Sequence, residues 1–199
     1  MSNEEKSGNS PTESVQMGNA LNLDSHLGAD DETRFTDSNL RNTLESLVFL
    51  TGFSDEDRRL IQEAADHTSK WTDELVKMFY NTLFSYPLTK AVFHAGERFD
   101  RESTLRNWYL RLASGVLDDQ FWGEQWRVGM PHIERKVPNS FMFGAMHRVQ
   151  QFLLDKCLAE FGMEKGLALY QAFKRATDIS TGLIAEGYHS TYAVIKVPR

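Results

Sequence analysis

The feature that most constrains this chain is the spacing of its apolar residues, which recur about every three to four positions from residue 40 onward. No stretch shows the two-residue alternation that is typical of a half-buried strand. The prolines in this part of the chain stand where helices are expected to begin, bend or end: Pro87, Pro131, Pro138 and Pro198. The pattern therefore predicts an all-α fold class.

Two polar positions predict where helices begin. Ser54, followed three positions later by Asp57, is a variant of the capping box. Asp118 directly precedes an apolar run, so we interpret it as a helix N-cap rather than as one of a catalytic pair of carboxylates. The expected helices cover residues 40–50, 54 onward, 69–84, 101–116, 118–132, 138–161 and 163–194, with a short one after Pro87. The last two are expected to form a hairpin.

The acidic charge of the chain is concentrated in its first 38 residues. They carry eight acidic and two basic residues, a net charge of −6. The whole chain also has a net charge of −6, so residues 39–199 are neutral in sum. Because residues 1–38 are also rich in Ser, Asn and Gly, they are expected to be a disordered acidic tail. A neutral body without a basic run argues against nucleic acid as a partner, since phosphate binding needs clustered Lys and Arg.

Cysteine content and hydropathy exclude several further classes of protein. Cys157 is the only cysteine, which excludes a disulfide framework, a multi-cysteine zinc site and a Cys-ligated iron–sulfur cluster. Its thiol is expected to pack as a small apolar group. No run of about 18 apolar residues is present to span a membrane. The first residues lack the basic and apolar regions of a signal peptide, so a cytoplasmic location is expected.

His132 is the histidine whose surroundings are those of a metal ligand. It ends a semi-apolar segment, residues 126–132, in which Pro131 is expected to bend the helix. A lone imidazole against an apolar wall is what a five-coordinate haem iron requires. The other ring nitrogen then needs an acceptor, and the carbonyl of Val128, one turn back, is the candidate. On spacing alone, an isolated histidine is more often packed or solvated, and no HExxH motif is present.

Four short segments carry a resemblance to a known family: residues 76–83, 113–121, 127–132 and 137–139. In order and spacing, from about residue 48 to 193, they are similar to the protoglobin and globin-coupled-sensor branch of the globin superfamily. The resemblance implies a globin fold over residues 39–199, with an extra helix before helix A. It also implies haem b as the cofactor and His132 as the proximal iron ligand.

The same resemblance implies which side chains line the haem pocket. The aromatic–tyrosine pair of helix B corresponds to Phe79 and Tyr80, whose hydroxyl is expected to donate to bound dioxygen. Thr104 offers a second, weaker hydroxyl unless solvent or a backbone carbonyl takes it. The remaining implied pocket residues are Phe93, Leu105, Trp108, Val128 and Phe141, and His94 is a candidate for contact with a propionate. Many family members carry Pro-x-Trp-Tyr where this chain has Pro138-Asn139-Ser140-Phe141, so a tyrosine hydroxyl beside the proximal histidine is lost.

The function implied by the resemblance is reversible binding of dioxygen, carbon monoxide and nitric oxide, for gas sensing or handling rather than for catalysis. Two alternatives stay open: a haem enzyme with peroxidase, dioxygenase, or nitrite and nitric oxide chemistry, and a haem-free helical dimerisation module. The last two predicted helices carry more apolar face than one core uses, which favours a homodimer through them over a monomer.

Overall fold

Helices make up nearly all of the chain that the structure, a computed structural model, describes: residues 29–195, with side chains from 38 to 188. No strand occurs in that part, which confirms the predicted all-α class. The helices are α1 (Ala29–Thr51), α2 (Asp55–Thr68), α3 (Thr72–Ser85), α4 (Pro87–Lys90), α5 (Arg98–Ser114), α6 (Asp119–Glu134) and α7 (Asn139–Ile195). A 3₁₀ turn, Ser69–Trp71, joins α2 to α3.

The first helix, α1, is longer than the apolar spacing predicts. It begins at Ala29 rather than near residue 40, so the boundary expected at residue 38 falls inside a helix. Residues 29–38 carry acidic side chains in place of an apolar stripe, and a polar stretch gives no periodic signal. Acidic residues nevertheless favour the first turn of a helix, where they face the positive end of its dipole. Residues 1–28 of the expected tail, including His26, lie outside the described residues.

Both helix starts that the sequence predicts are capped as expected. The Ser54 hydroxyl accepts the Asp57 N–H at 3.3 Å, and the Asp57 carboxylate accepts the Ser54 N–H at 2.9 Å. At the start of α6, the Asp118 carboxylate accepts the Phe121 N–H at 2.8 Å, so Asp118 is a cap. Pro131 lies inside α6, which continues through it to Glu134.

Helix α7 folds back on itself at Gly162, whose φ of 75° lies in the region that favours glycine. Residues 139–161 form its first arm and residues 163–195 its second arm. Gln150 in the first arm donates to the Asp178 carboxylate in the second arm at 2.7 Å. Nearer the turn, a Cβ at Gly166 would overlap the Cys157 carbonyl oxygen, so the arms meet closely there. The predicted hairpin is confirmed.

The core lies where α1, α2 and α6 pack on α7 and where α5 packs on α2. The Tyr109 hydroxyl, inside this core, donates to the Thr68 carbonyl at 2.9 Å and ties α5 to the end of α2. Cys157 is fully buried, and burial raises the pKa of its thiol to about 12, so it packs as a neutral group. Among the described residues, no helix is both long and apolar enough to cross a membrane. Other large, fully buried side chains are Phe121, Leu153, Phe173, Ile179 and Leu183.

Candidate functional site

A cavity of about 300 Å³ lies between α3, α5, α6 and the first arm of α7. Most of its walls are aliphatic or aromatic. The fold brings to it all the side chains that the sequence analysis assigned to one pocket: Phe79, Tyr80, Phe93, Thr104, Leu105, Trp108, Val128, His132 and Phe141. Since these positions span 79 to 141 in the chain, their meeting is a property of the tertiary structure.

His132 lies on the last turn of α6 and faces this cavity. Its Nδ1 is 2.7 Å from the Val128 carbonyl oxygen, the acceptor that the one-turn spacing predicts. The other side of the ring packs near Tyr188, with ring centroids 5.8 Å apart. The imidazole is therefore held by the backbone of its own helix and by a side chain of α7.

The protonation state of His132 follows from its surroundings. Burial lowers the pKa of the imidazole, and the nearby Arg135 guanidinium lowers it further, so the neutral ring is favoured at pH 7. A carbonyl oxygen only accepts hydrogen bonds, so Nδ1 must carry the ring proton. The lone pair is then on Nε2. A neutral imidazole oriented in this way is ready to bind a metal ion.

Tyr80, on α3, is a buried hydrogen-bond donor that lies within a cluster of aromatic rings. Its ring packs against Phe79, Phe84 and Phe93, with centroid distances of 5.3, 6.4 and 6.0 Å. Burial raises the pKa of the phenol above its ordinary value, so the hydroxyl stays protonated. Within the described part of the chain the hydroxyl makes no hydrogen bond. It is thus a donor available to a guest in the cavity.

The structure gives a different outcome for each of three further candidate residues: Thr104, His94 and Phe141. The Thr104 hydroxyl donates to the Asp100 carbonyl at 2.9 Å, so a backbone carbonyl takes the second hydroxyl, as one of the two alternatives foresaw. His94 is not among the residues that line the cavity, and its backbone N–H donates to Glu97 at 3.0 Å. Phe141 lines the wall near the start of α7 and brings an apolar ring without a hydroxyl.

Sequence reasoning missed four polar residues of the cavity, one of which is Thr89 on α4. Gln125 is only 2% exposed and donates through Nε2 to the Phe121 carbonyl at 3.1 Å, while its Oε1 has no partner among the described residues. It precedes His132 by two helical turns, so the i, i+7 spacing on α6 could have placed it on the same face. Arg101 and Arg135 also line the cavity.

The two arginines meet at Glu97, just before α5. Both terminal nitrogens of Arg135 donate to the Glu97 carboxylate, one of them at 2.7 Å. These bonds, with the His94 N–H, lower the pKa of Glu97 to about 2. Arg101 Nε lies 3.8 Å from the same carboxylate. Nothing in the sequence pattern indicates this cluster, because Glu97 and Arg135 are 38 positions apart.

These features fit a haem group. Apolar walls, a neutral imidazole with its lone pair on Nε2, and buried polar atoms without partners (Arg101 Nε and Gln125 Oε1) are what an amphipathic macrocycle with a central iron requires. A bare metal ion fits less well, since no group of three or more His, Cys, Asp or Glu side chains able to hold one occurs in the described part of the chain.

An all-α domain with one histidine facing an apolar cavity between its helices is the arrangement of the globin class. The comparison with family models agrees. The model described as Protoglobin matches residues 41–193, and the chain belongs to the protoglobin family. Globins in general carry haem.

Solved structures support the fold. The globin domain of the Geobacter sulfurreducens globin-coupled sensor is similar with a TM-score of 0.65. The match covers 72% of this chain and 96% of that domain, at 21% sequence identity, so it concerns the fold alone. No curated protein matches the sequence.

Proposed function

We propose that this protoglobin binds one haem b in the cavity through Nε2 of His132. The observation that carries the proposal is the 2.7 Å hydrogen bond between His132 Nδ1 and the Val128 carbonyl, which orients the ring and leaves its lone pair on Nε2. Ferrous haem held by one neutral imidazole supplies reversible binding of dioxygen, carbon monoxide and nitric oxide. We therefore assign the chain to the sensing or handling of diatomic gases in the cytoplasm.

In this proposal the residues of the cavity have three roles: orienting the imidazole, excluding water and donating a hydrogen bond. Val128 holds the imidazole in one tautomer and one orientation. Phe79, Leu105 and Trp108, with the other apolar walls, exclude water from the cavity. Tyr80 would offer its protonated hydroxyl as a hydrogen-bond donor to a bound gas, since partial negative charge on the gas rewards a donor. Because carbon monoxide carries little such charge, Tyr80 would discriminate between gases by favouring dioxygen.

The test is an absorption spectrum of the purified full-length chain, after reconstitution with hemin, as oxidised, reduced, and reduced under carbon monoxide. We expect a strong Soret band that shifts with carbon monoxide. His132→Ala is expected to lose most of the haem on gel filtration. The matched control is His147→Ala, because His147 is an exposed histidine of α7 that does not line the cavity.

Three results would contradict all or part of the proposal. A flat visible spectrum after the addition of hemin would discard gas binding and support a haem-free helical module. Full haem loading of His132→Ala with an unchanged spectrum would remove His132 as the ligand and leave haem binding in place. Turnover of peroxide at rates typical of an enzyme would support the haem-enzyme alternative.

We also propose that two copies associate through the two arms of α7. The arms use most of their apolar residues inside the chain, but Phe143, Met163 and Leu167 are 50%, 73% and 40% exposed. Light scattering on the haem-loaded chain tests this: a mass near twice 22.8 kDa is expected. A mass of one chain over the whole concentration range would overturn the dimer.

A further inference from the structure

One end of the cavity carries positive charge, and the rest of its lining is neutral. The Arg101 and Arg135 guanidinium groups line it, whereas no Lys, Asp or Glu side chain of the described residues does. The guanidinium groups of Arg101 and Arg135 both lie beside the carboxylate of Glu97 at this end. A guanidinium with a free N–H can donate to a further group of opposite sign.

Arg101 is the guanidinium whose bonding is incomplete. Its Nε is buried, makes no hydrogen bond within the described part of the chain, and lies 3.8 Å from the Glu97 carboxylate. Other arginines of α5 differ in this respect: Arg98 donates to Glu102 at 2.6 Å, and Arg106 pairs with Asp73 away from the cavity. Of these three arginines of α5, only Arg101 at the cavity therefore has incomplete bonding.

The charged end is separated along α6 from the inner end of the cavity. Arg135 and Gln125 are ten residues apart on this helix, which at about 1.5 Å per residue places them roughly 15 Å from each other. Helix α5 runs beside it in the opposite direction, since Glu97 at its start pairs with Arg135 and Arg111 near its end pairs with Glu124. The cavity is thus a slot with a cationic end and an uncharged end.

We propose that Arg101 and Arg135 form the carboxylate-binding end of this slot and that they bind the propionates of the haem. Glu97 is a positioning residue, because its carboxylate holds the Arg135 guanidinium at the slot. The inference rests on the proposed function and extends it by assigning the orientation of the macrocycle. In this orientation the propionates would lie at the start of α5, and the apolar edge of the ring would point toward Trp108.

The experiment compares two probes that differ only in the carboxylates: protoporphyrin IX and its dimethyl ester, both without iron. Binding to the full-length chain is followed by porphyrin fluorescence, so neither probe depends on ligation by His132. The variants are Arg101→Ala and Arg135→Ala. The matched control is Arg106→Ala, an arginine of the same helix that does not line the cavity.

We expect Arg101→Ala to weaken the binding of protoporphyrin IX by about tenfold, the size of a partly exposed charge-assisted hydrogen bond. Its affinity for the dimethyl ester should stay within a factor of two of wild type. Arg106→Ala should bind both probes as wild type does. Arg101→Lys, which keeps the charge and the packing of the stem, should recover part of the loss and so separates charge from misfolding.

Two outcomes would overturn the inference. An equal loss for both probes in Arg101→Ala would show that the side chain only packs. Unchanged binding of both probes would show that the carboxylates lie elsewhere. Neither outcome touches the proposed function, which fails instead if the wild-type chain shows no Soret band with hemin.

Discussion

A methyl group added between α6 and the second arm of α7 is the sharpest perturbation of the site that leaves its residues in place. Gly129 of α6 faces Gly187 of α7 at the closest approach of the two helices. A Cβ on Gly129 would lie 2.9 Å from the Gly187 carbonyl carbon, 2.9 Å from the Ile184 carbonyl oxygen and 3.0 Å from the Tyr188 nitrogen. All three are backbone atoms, so none can move aside by a rotamer change.

The size of the effect follows from these distances. Carbon–oxygen contacts in proteins are ordinarily about 3.3 Å or longer, so α6 must move away from α7 by about 0.4 Å. Added methylenes that force such backbone shifts cost about 1–3 kcal/mol. For a chain of this length that loss lowers the melting temperature by roughly 2–12 °C. Because Gly129 lies between Val128 and His132, the shift also displaces the imidazole, and Gly129→Ala should release haem faster.

The matched control is Gly144→Ala on the first arm of α7. A Cβ at Gly144 meets nothing within 4 Å, and alanine inside a helix is more stable than glycine by roughly 0.5–1 kcal/mol. Thermal unfolding followed by circular dichroism should therefore give shifts of opposite sign for the two variants. Haem release into an excess of a scavenging apoglobin gives the second readout. Two results would contradict the reasoning: a Gly129→Ala melting temperature as high as that of Gly144→Ala, or haem release as slow as in wild type. Either would show that the close approach of α6 and α7 does not fix the position of His132.

Three further outcomes are expected. Tyr80→Phe should speed dioxygen release by about tenfold and leave carbon monoxide release nearly unchanged, measured by flash photolysis, and equal effects on both gases would remove the donor role. Asp57→Ala removes a cap and leaves Arg175, 2.6 Å from the carboxylate, without its partner. It should cost about 2–4 kcal/mol in urea unfolding, against a few tenths for the exposed Asp55→Ala. The pKa of Glu97 is about 2 instead of its ordinary 4.5, so its contribution is complete above pH 4.5 and is lost as the pH falls toward 2. The stability difference between wild type and Glu97→Gln should shrink over that interval, and a constant difference would contradict the ion pair.

The parts of the structure that the sequence predicted are those encoded over short distances along the chain. The capping box at Ser54 needs only a residue three positions away. The acceptor for His132 is the carbonyl one helical turn back, which helix geometry supplies whatever the rest of the fold does. Periodicity likewise placed the helices, except where α1 runs through a polar stretch that offers no apolar stripe.

The cavity lining was predicted by resemblance, and its charged end was not predicted at all. Apolar wall residues such as Leu105 and Phe141 repeat the periodicity of their helices, so a family pattern preserves their order. The two residues of an ion pair between helices follow no regular spacing along the sequence, so no periodic pattern predicts them. Glu97 and Arg135 look like ordinary solvated charges in the sequence, and only the antiparallel arrangement of α5 and α6 along the cavity makes them partners.

The two ends of the site therefore differ in what positions them: contacts within one helix position His132, and contacts between helices position the charged end. The side chain proposed to bind iron is oriented by its own helix, so its geometry survives small movements of the rest of the domain. The charged end depends on two helices keeping their distance, and that distance is held at the other side of α6 by the contact of Gly129 with Gly187. A methyl group at that contact therefore acts on both ends of the site through one rigid helix. His132 would move with the helix as a whole, whereas Arg135 would move relative to Glu97, so the ion pair should respond to the shift before the hydrogen bond to Val128 does.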